Sequence, residues 1–344
     1  MTGYDASVWN SPETRILVIG PNWLGDGIMA MPALQVLRER LHARAVLDVG
    51  VKPGQAGLWR MNAAPGEVLI LTPAVAALRA NIQLLKERAY THAVILPNSF
   101  RSALAPFLAG IPARRGTAGQ LRRLLISDPV RLSGDESEHQ QWENAELLLG
   151  DLPAALPAPR LLAPAAARER AAALLQETPG PHLALIPGAA RGPSKRWPGE
   201  RFAAVAAGWN RETGGSVIWL GTGEDQALCL SLAKDLPPSH SLLLAGKTGM
   251  DLFAALLQAV RGVVANDSGG MHLAAALGTP VAAIFGLTNP RKTGPLHPAA
   301  AVFQHADKGS RAIARDSDAA RMALEAVTAD EVLERVLAFP PRKA

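Results

Sequence analysis

The chain has 344 residues, of which 19% are charged and 48% apolar, with 31 Gly and 27 Pro; this excludes a disordered chain and allows two folded domains at roughly 150 residues each. Lysine and arginine exceed the acids by a formal +5, which matters only where it is clustered, and Cys229 as the sole cysteine excludes an internal disulfide or a cysteine zinc cage. The amino terminus has no basic segment followed by an apolar one, and no apolar run reaches the roughly 18 residues of a spanning helix, so a soluble cytoplasmic protein is expected.

Residues 15–20 (RILVIG) are an apolar run ending in glycine, followed by a PNWLGDG loop and an apolar stretch over 28–41, which predicts strand, loop and helix. Strands are predicted again over 45–51, 68–71 and 92–96 with helical segments between them, the alternation of a parallel sheet covered on both faces. From Arg101 to Arg131 the character changes: Arg101, Arg114, Arg115, Arg122, Arg123 and Arg131 are interleaved with apolar residues. Such a cluster suits an anionic lipid headgroup or is simply a solvated face; no nucleic-acid motif accompanies it, so no nucleic-acid partner is expected.

Residues 151–180, rich in Ala, Pro and Leu, predict a linker with one helix over 165–176. The alternation then restarts, with strands over 182–186, 216–220, 241–245, 261–265 and 281–285 and helices over 198–211, 224–234, 251–261 and 271–277. Thr328 to Glu331 is a capping box for a last helix to about Phe339. The expected domains are 1–163, a linker and helix over 164–180, a second domain over 181–327, and a helix and tail over 328–344. Two successive βα domains joined by a Pro-rich segment predict a cleft between facing strand ends as the ligand position.

The junction VVANDSGGMH (263–272) carries the clearest ligand signal. A strand's carboxyl end meets a helix's amino end there, where unpaired N–H groups and the helix dipole favour an anion. Ser268 can cap, and Gly269 and Gly270 allow a ligand close to the backbone. Asp267 beside such a site suits sugar hydroxyls. His272 in the first turn either touches a phosphate or is a hydrogen-bonded core histidine. The loop PGAARGPSKRWP (187–198) brings Lys195 and Arg196 before a helix, a pattern suited to neutralising phosphate or, more blandly, solvated cations. Glu224 and Asp225 follow a strand; either acid holds a ribose or merely favours a helix amino end.

Asp26 reads either as a helix N-cap or as a general base on a loop tip. The stretch from Gly25 to Ala30 also satisfies G-x-G-x-x-A, with Asp48 about 20 residues on, which makes an NAD-dependent oxidoreductase a rival reading. Against it, four residues separate Gly20 from Gly25, and Asp26 would face a pyrophosphate with a carboxylate. Asp316 and Asp318 form a D-x-D before a helical stretch and read as capping; the histidines show no zinc spacing, and no metal is expected.

With these pieces in place the chain resembles the bacterial ADP-heptose:lipopolysaccharide heptosyltransferases of glycosyltransferase family 9, in their heptosyltransferase II branch. The matching stretches are ILVIGPNWLGD (16–26), LPNSFRS (96–102), AGIP (109–112), PGA (187–189), GPSKRWP (192–198), LAG (244–246), NDSG (266–269) and Met271-His272. The resemblance implies an α/β GT-B fold, two Rossmann-like βαβ domains facing across a cleft, with acceptor on the first and nucleotide sugar on the second. It implies inverting transfer without metal or cofactor. By that likeness Asp26 is the general base and Lys195 stabilises the departing ADP; Asp267 binds donor heptose hydroxyls; Ser268, Gly269 and His272 line the diphosphate site; Glu224 and Thr248 contact the nucleoside. Asn22, Ser99, Arg101, Arg122 and Arg123 are the implied acceptor-binding residues. The basic segment would face phosphorylated inner-core lipopolysaccharide, with peripheral contact on the cytoplasmic face of the inner membrane.

Two departures stand out: Ala190-Arg191 occupies the place of paired threonines in the heptosyltransferase I branch, and the family's carboxyl-terminal cysteines are missing over 303–327. The expected activity is transfer of L-glycero-D-manno-heptose from ADP-heptose to an inner-core heptose. The alternatives are a heptosyltransferase acting on Kdo or protein, the NAD-dependent oxidoreductase, and a nucleotide-binding module without catalysis.

Overall fold

The computed structural model describes residues 11–119, 121–135, 137–190, 192–306 and 317–341. The reading of the first ten residues, and those of Arg191 and Asp316, fall outside the described residues. The chain divides into two compact units, Met1–Pro159 and Arg160–Ala344.

In the first unit β1 (Arg15–Ile19), β2 (Val46–Val51), β3 (Val68–Ile70), β4 (His92–Ile95), β5 (Ala113–Thr117) and β6 (Asp128–Val130) form one parallel six-stranded sheet in the order β3-β2-β1-β4-β5-β6. Its helices are α1 (Leu24–Arg40), α2 (Ala56–Arg60), α3 (Leu78–Glu87), α4 (Phe100–Leu108) and α5 (Gln141–Leu149). The central strands are buried on both faces, which is why β1 and β4 are continuous apolar runs and not alternating ones. Helix α1 begins four residues before the apolar stretch that announces it. Gly27 in it is a packing residue: a Cβ there would stand 3.2 Å from Leu58.

β5 and β6 lie inside the arginine-rich segment, where no strand is expected from residue type. Arg115 on β5 pairs with Asp128 on β6 at 2.6 Å and donates to the Leu147 and Glu146 carbonyls at 2.9 and 3.1 Å. Its charge is thus neutralised within the fold, which lets a basic residue occupy an inner strand.

The second unit repeats the arrangement. β7 (His182–Ile186), β8 (Ser216–Trp219), β9 (Ser241–Leu243), β10 (Gly262–Asn266), β11 (Val281–Ile284) and β12 (Ala301–Phe303) form a parallel sheet in the order β12-β11-β10-β7-β8-β9. Its helices are α6 (Ala165–Gln176), α7 (Gly199–Thr213), α8 (Gln226–Ala233), α9 (Met250–Ala259), α10 (Gly269–Ala276), α11 (Pro290–Thr293), α12 (Asp318–Glu325) and α13 (Ala329–Leu337). Helix α6 packs on α9, and α13 packs on α7. Trp197, Phe202, Trp209 and Trp219 fill the core on the α7 side, with Val332, Val336 and Phe339 closing it.

Renumbered within its own unit, each sheet has the order 3-2-1-4-5-6 of a doubly wound fold. In such a sheet the connections leave the central pair of strands in opposite directions, opening a crevice beyond their carboxyl ends. That position lies after β1 and β4 in the first unit and after β7 and β10 in the second. Among the described residues no helix is long and apolar enough to cross a membrane.

Candidate functional site

In the second unit the residues after β7 and β10 meet. Strand β10 ends at Asn266, Asp267 continues the ladder through its N–H to the Ile284 carbonyl at 3.0 Å, and α10 starts at Gly269. The loop from Pro187 to Trp197 folds back over this junction, turning through a short 3-10 segment (Pro193–Lys195) that presents Lys195. The Lys195 ammonium pairs with Asp267 Oδ2, both side chains being largely shielded from water. Residues 72 positions apart are thus joined at the switch point of the sheet.

The same loop is held at both ends. Asn266 Oδ1 accepts from the Trp197 N–H at 2.9 Å, and Asn266 Nδ2 donates to the carbonyls of Pro187 at 2.8 Å and Gly188 at 3.5 Å. No role is expected for Asn266 from sequence, because both halves of its amide bind backbone groups that a sequence does not display.

Ser268 stands at the N-cap of α10 without capping it: its hydroxyl makes no bond to the helix and is buried without a partner. Gly270 corrects the expectation that both glycines serve a ligand. A Cβ there would stand 2.7 Å from Ile186, so this glycine exists to let α10 lie against β7. His272 is buried in the first turn of α10.

After the neighbouring strand β8, the adjacent acids Glu224 and Asp225 differ in their surroundings. Asp225 is buried, accepts from the Thr222 N–H and hydroxyl at 2.9 and 2.8 Å, and lies 3.9 Å from the Arg196 guanidinium. A Cβ on Gly188 would fall 2.2 Å from its carboxylate. Asp225 is therefore a structural acid, and Glu224, exposed beside it, is the one open to a ligand. Gly246, at φ 73, brings the loop carrying Thr248 against Gly223: a Cβ on Gly246 would be 2.9 Å from the Gly223 Cα. Burial, with the Asp225 carboxylate next, pushes the Cys229 thiol up to about 12, so it is no nucleophile.

In the first unit the candidates likewise follow the carboxyl ends of strands, on loops or in the first turns of the helices after them. Asp26 is not the N-cap; Trp23 is, and Asp26 sits in the first turn of α1. Its Oδ1 accepts from Gln140 Nε2 at 3.3 Å, a partner with no signal in the sequence. Asn22 is exposed before α1, and Ser99 caps α4, accepting from the Ser102 N–H at 3.4 Å. Exposed Arg101 donates to the Pro73 carbonyl at 3.0 Å.

Arg122 is a correction. It is 0% exposed, and its guanidinium is spent on the carbonyls of Thr117 at 2.6 Å, Pro97, Ser99 at 3.4 Å and Ile95 at 3.5 Å. It ties the ends of β4 and β5 together and, being buried, is not presented to an acceptor; burial lowers its pKa from the usual arginine value. Arg123 next to it is exposed, flanked by Leu121 and Leu124 at 90% and 86% exposure.

The dinucleotide reading also loses its acid. Asp48 is buried in the middle of β2, where it accepts from the Tyr90 hydroxyl at 2.6 Å and the Glu67 N–H at 2.9 Å. It is not at the strand end where a ribose would be. Asp318 opens α12 behind the cap Ser317 and pairs with Arg321 at 2.7 Å.

Comparison with known proteins shows what the whole chain is similar to. Residues 78–320 match the model of glycosyltransferase family 9 (heptosyltransferase). The lipopolysaccharide heptosyltransferase 2 of Escherichia coli strain K12 is 32% identical over 308 residues, covering 84% of this chain and 88% of the relative. The lipooligosaccharide heptosyltransferase 2 of Haemophilus ducreyi is 31% identical over 318 residues, covering 86% and 90%. The solved structure of E. coli ADP-heptose lps heptosyltransferase II superposes with a TM-score of 0.83 at 30% identity, covering 95% of this chain and 98% of that one.

Proposed function

This chain belongs to glycosyltransferase family 9, the heptosyltransferases, and we propose that it is an inverting transferase moving L-glycero-D-manno-heptose from ADP-heptose to a heptose of the lipopolysaccharide inner core. The observation that carries the reading is the Lys195–Asp267 pair at the amino end of α10, at the switch point of the second sheet.

The chemistry divides between the units. Asp26 takes the proton of the acceptor hydroxyl, whose oxygen attacks the anomeric carbon from the face opposite ADP. The bond from that carbon to the diphosphate oxygen breaks, and one displacement inverts the centre. Charge then appears on the departing diphosphate, where the Lys195 ammonium and the N–H groups opening α10 meet it in place of a metal. Both oxygens of a carboxylate accept, so pairing with Lys195 through Oδ2 leaves Asp267 Oδ1 for the donor's hydroxyls. Ser268, Gly269 and His272 line the diphosphate, Glu224 and Thr248 the nucleoside, and Asn22, Ser99, Arg101 and Arg123 the acceptor.

The membrane contact follows the same logic. The carboxyl-end loops of the first sheet expose Trp23, Val75, Phe100, Leu121 and Leu124, with Arg101 and Arg123 among them. Apolar side chains interleaved with cations suit a peripheral seat on anionic lipid, here the cytoplasmic face of the inner membrane where a lipid-anchored acceptor is presented.

The test is transfer by the purified chain from ADP-heptose to acceptors ending in heptose or Kdo, or to protein. Inverted product on the heptose acceptor supports the proposal, and product only on another acceptor moves the assignment within the class. Calorimetry with ADP, UDP and NAD completes it: NAD binding in place of ADP overturns the reading, and ADP binding without transfer leaves a nucleotide-binding module.

A further inference from the structure

We propose that Asn266 is a positioning residue for the transfer reaction: it closes the two ends of the 187–197 loop and so sets Lys195 where the leaving diphosphate forms. The inference rests on the assignment of Lys195 given above.

Asn266 is 0% exposed, and each half of its amide has a separate task. The oxygen takes the N–H of Trp197 at the loop's exit, while the nitrogen binds the Pro187 and Gly188 carbonyls at its entrance. Entrance and exit are thereby tied to one side chain at the end of β10. Trp197 is fixed further by its indole N–H, which donates to the Val327 carbonyl at 3.0 Å. Between these ends the loop turns on itself through Gly192 N–H to Ala189 O at 3.2 Å, Lys195 N–H to Gly192 O at 3.2 Å and Arg196 N–H to Pro193 O at 2.9 Å.

The next residue after Asn266 is Asp267, the partner of Lys195. Two consecutive residues of one strand end therefore grip the loop at three points, its entrance, its exit and its ammonium. A lysine on a four-carbon stem is a flexible point charge, and a catalytic charge works only if held before the reaction begins. Asp267 supplies the direction of the ammonium, and Asn266 fixes the backbone from which Lys195 departs.

The experiment is a double-mutant cycle on the full chain, with Asn266→Ala, Asn266→Asp, Lys195→Ala and the combinations. Turnover of ADP-heptose is measured per folded molecule, folding being checked by circular dichroism. Asn266→Ala should lower kcat by about 10²-fold, the scale expected for a group displaced by an ångström, with the acceptor KM unchanged. Asn266→Asp keeps the acceptor for Trp197 and loses the donor to Pro187, and should cost about tenfold. In the Lys195→Ala background either change should cost less than about twofold, because the group it positions is gone. Equal losses in both backgrounds, or a lowered melting temperature with kcat per folded molecule unchanged, would overturn the proposal. Asn266→Asp decides if Asn266→Ala does not fold, and failure of both to fold would make Asn266 a folding residue only, which also overturns it. Absence of transfer by the unmutated chain would instead strike the proposed function.

Discussion

The two sheets have one strand order, and the loops at their carboxyl ends are furnished in opposite ways. After β7, β8 and β10 those loops are polar and internally bonded: Lys195 lies on Asp267, Asn266 holds the loop ends, and Asp225 sits under Gly188 with Thr222 and Arg196 around it. Among the described residues, none of the second unit's large exposed apolar side chains lies on these loops. After β1, β3, β4 and β5 the loops instead show Trp23, Val75, Phe100, Leu121 and Leu124 to solvent. Topology decides where a ligand can sit; loop chemistry decides what it is. On the proposed function, the polar, internally bonded edge would take the small charged donor and the apolar, cationic edge an amphiphilic acceptor.

The sharpest way to break that division is to remove the proposed base from the acceptor edge. Asp26→Asn should lower kcat by about 10²–10⁴-fold, the range of general-base catalysis, and leave the ADP affinity measured by calorimetry unchanged. Lost ADP affinity would mean that the first sheet also holds the donor. The converse change, Lys195→Ala, should lower turnover by about 10²–10³-fold and weaken ADP binding together, because its charge meets the diphosphate before and during departure. Lysine here is a single charge held by one carboxylate, so Lys195→Arg should not restore the rate.

Two neighbouring arginines sharpen the acceptor edge itself. Arg122→Ala removes the buried donor to four carbonyls and should destabilise the first unit by about 3 kcal/mol, read as early unfolding in urea. Arg123→Ala should leave the urea transition in place. Combined with Leu121→Ser and Leu124→Ser it should weaken binding to anionic vesicles by about tenfold or more while turnover on a water-soluble acceptor persists. Equal vesicle binding by both proteins would assign the exposed leucines to some other use.

The arginine segment also marks where sequence reading runs out. β1, β4, β7 and β10 were legible because strands buried on both faces must be apolar throughout, and the Asp267 junction was legible because strand end and helix start adjoin in the chain. β5 and β6 were not. The sequence of β5, ARRGT, is strand-compatible only once Arg115 has Asp128, and β6 carries Pro129, which an edge strand tolerates because one side of it needs no ladder bond. Arg122 and Arg123 look alike in sequence, yet one is a structural cation and the other exposed. Asn266 carries no signal in the sequence for a related reason: its partners are backbone carbonyl and N–H groups, which do not vary with residue type.

At the opposite, amino-terminal ends of the strands the two units are alike, and this gives the smallest effect. His92 opens β4 and His182 opens β7. Burial lowers the pKa of each from 6.5, offset in part at His182 by backbone bonds at Thr178 and Leu175. Below its ordinary value the unfolded chain takes up the proton first, so the stability each neutral ring contributes is complete above 6.5 and is lost as pH falls through that value toward the folded-state pKa. The melting temperature should therefore decline as pH drops from about 7 to 5, and His92→Gln or His182→Gln should flatten the decline in its own unit. ADP affinity, which the proposed function places at the other end of the second sheet, should follow neither substitution. If His182→Gln did change it, the amino end of β7 would be coupled to the loop it feeds, and the separation of scaffold end from ligand end would fail in that unit.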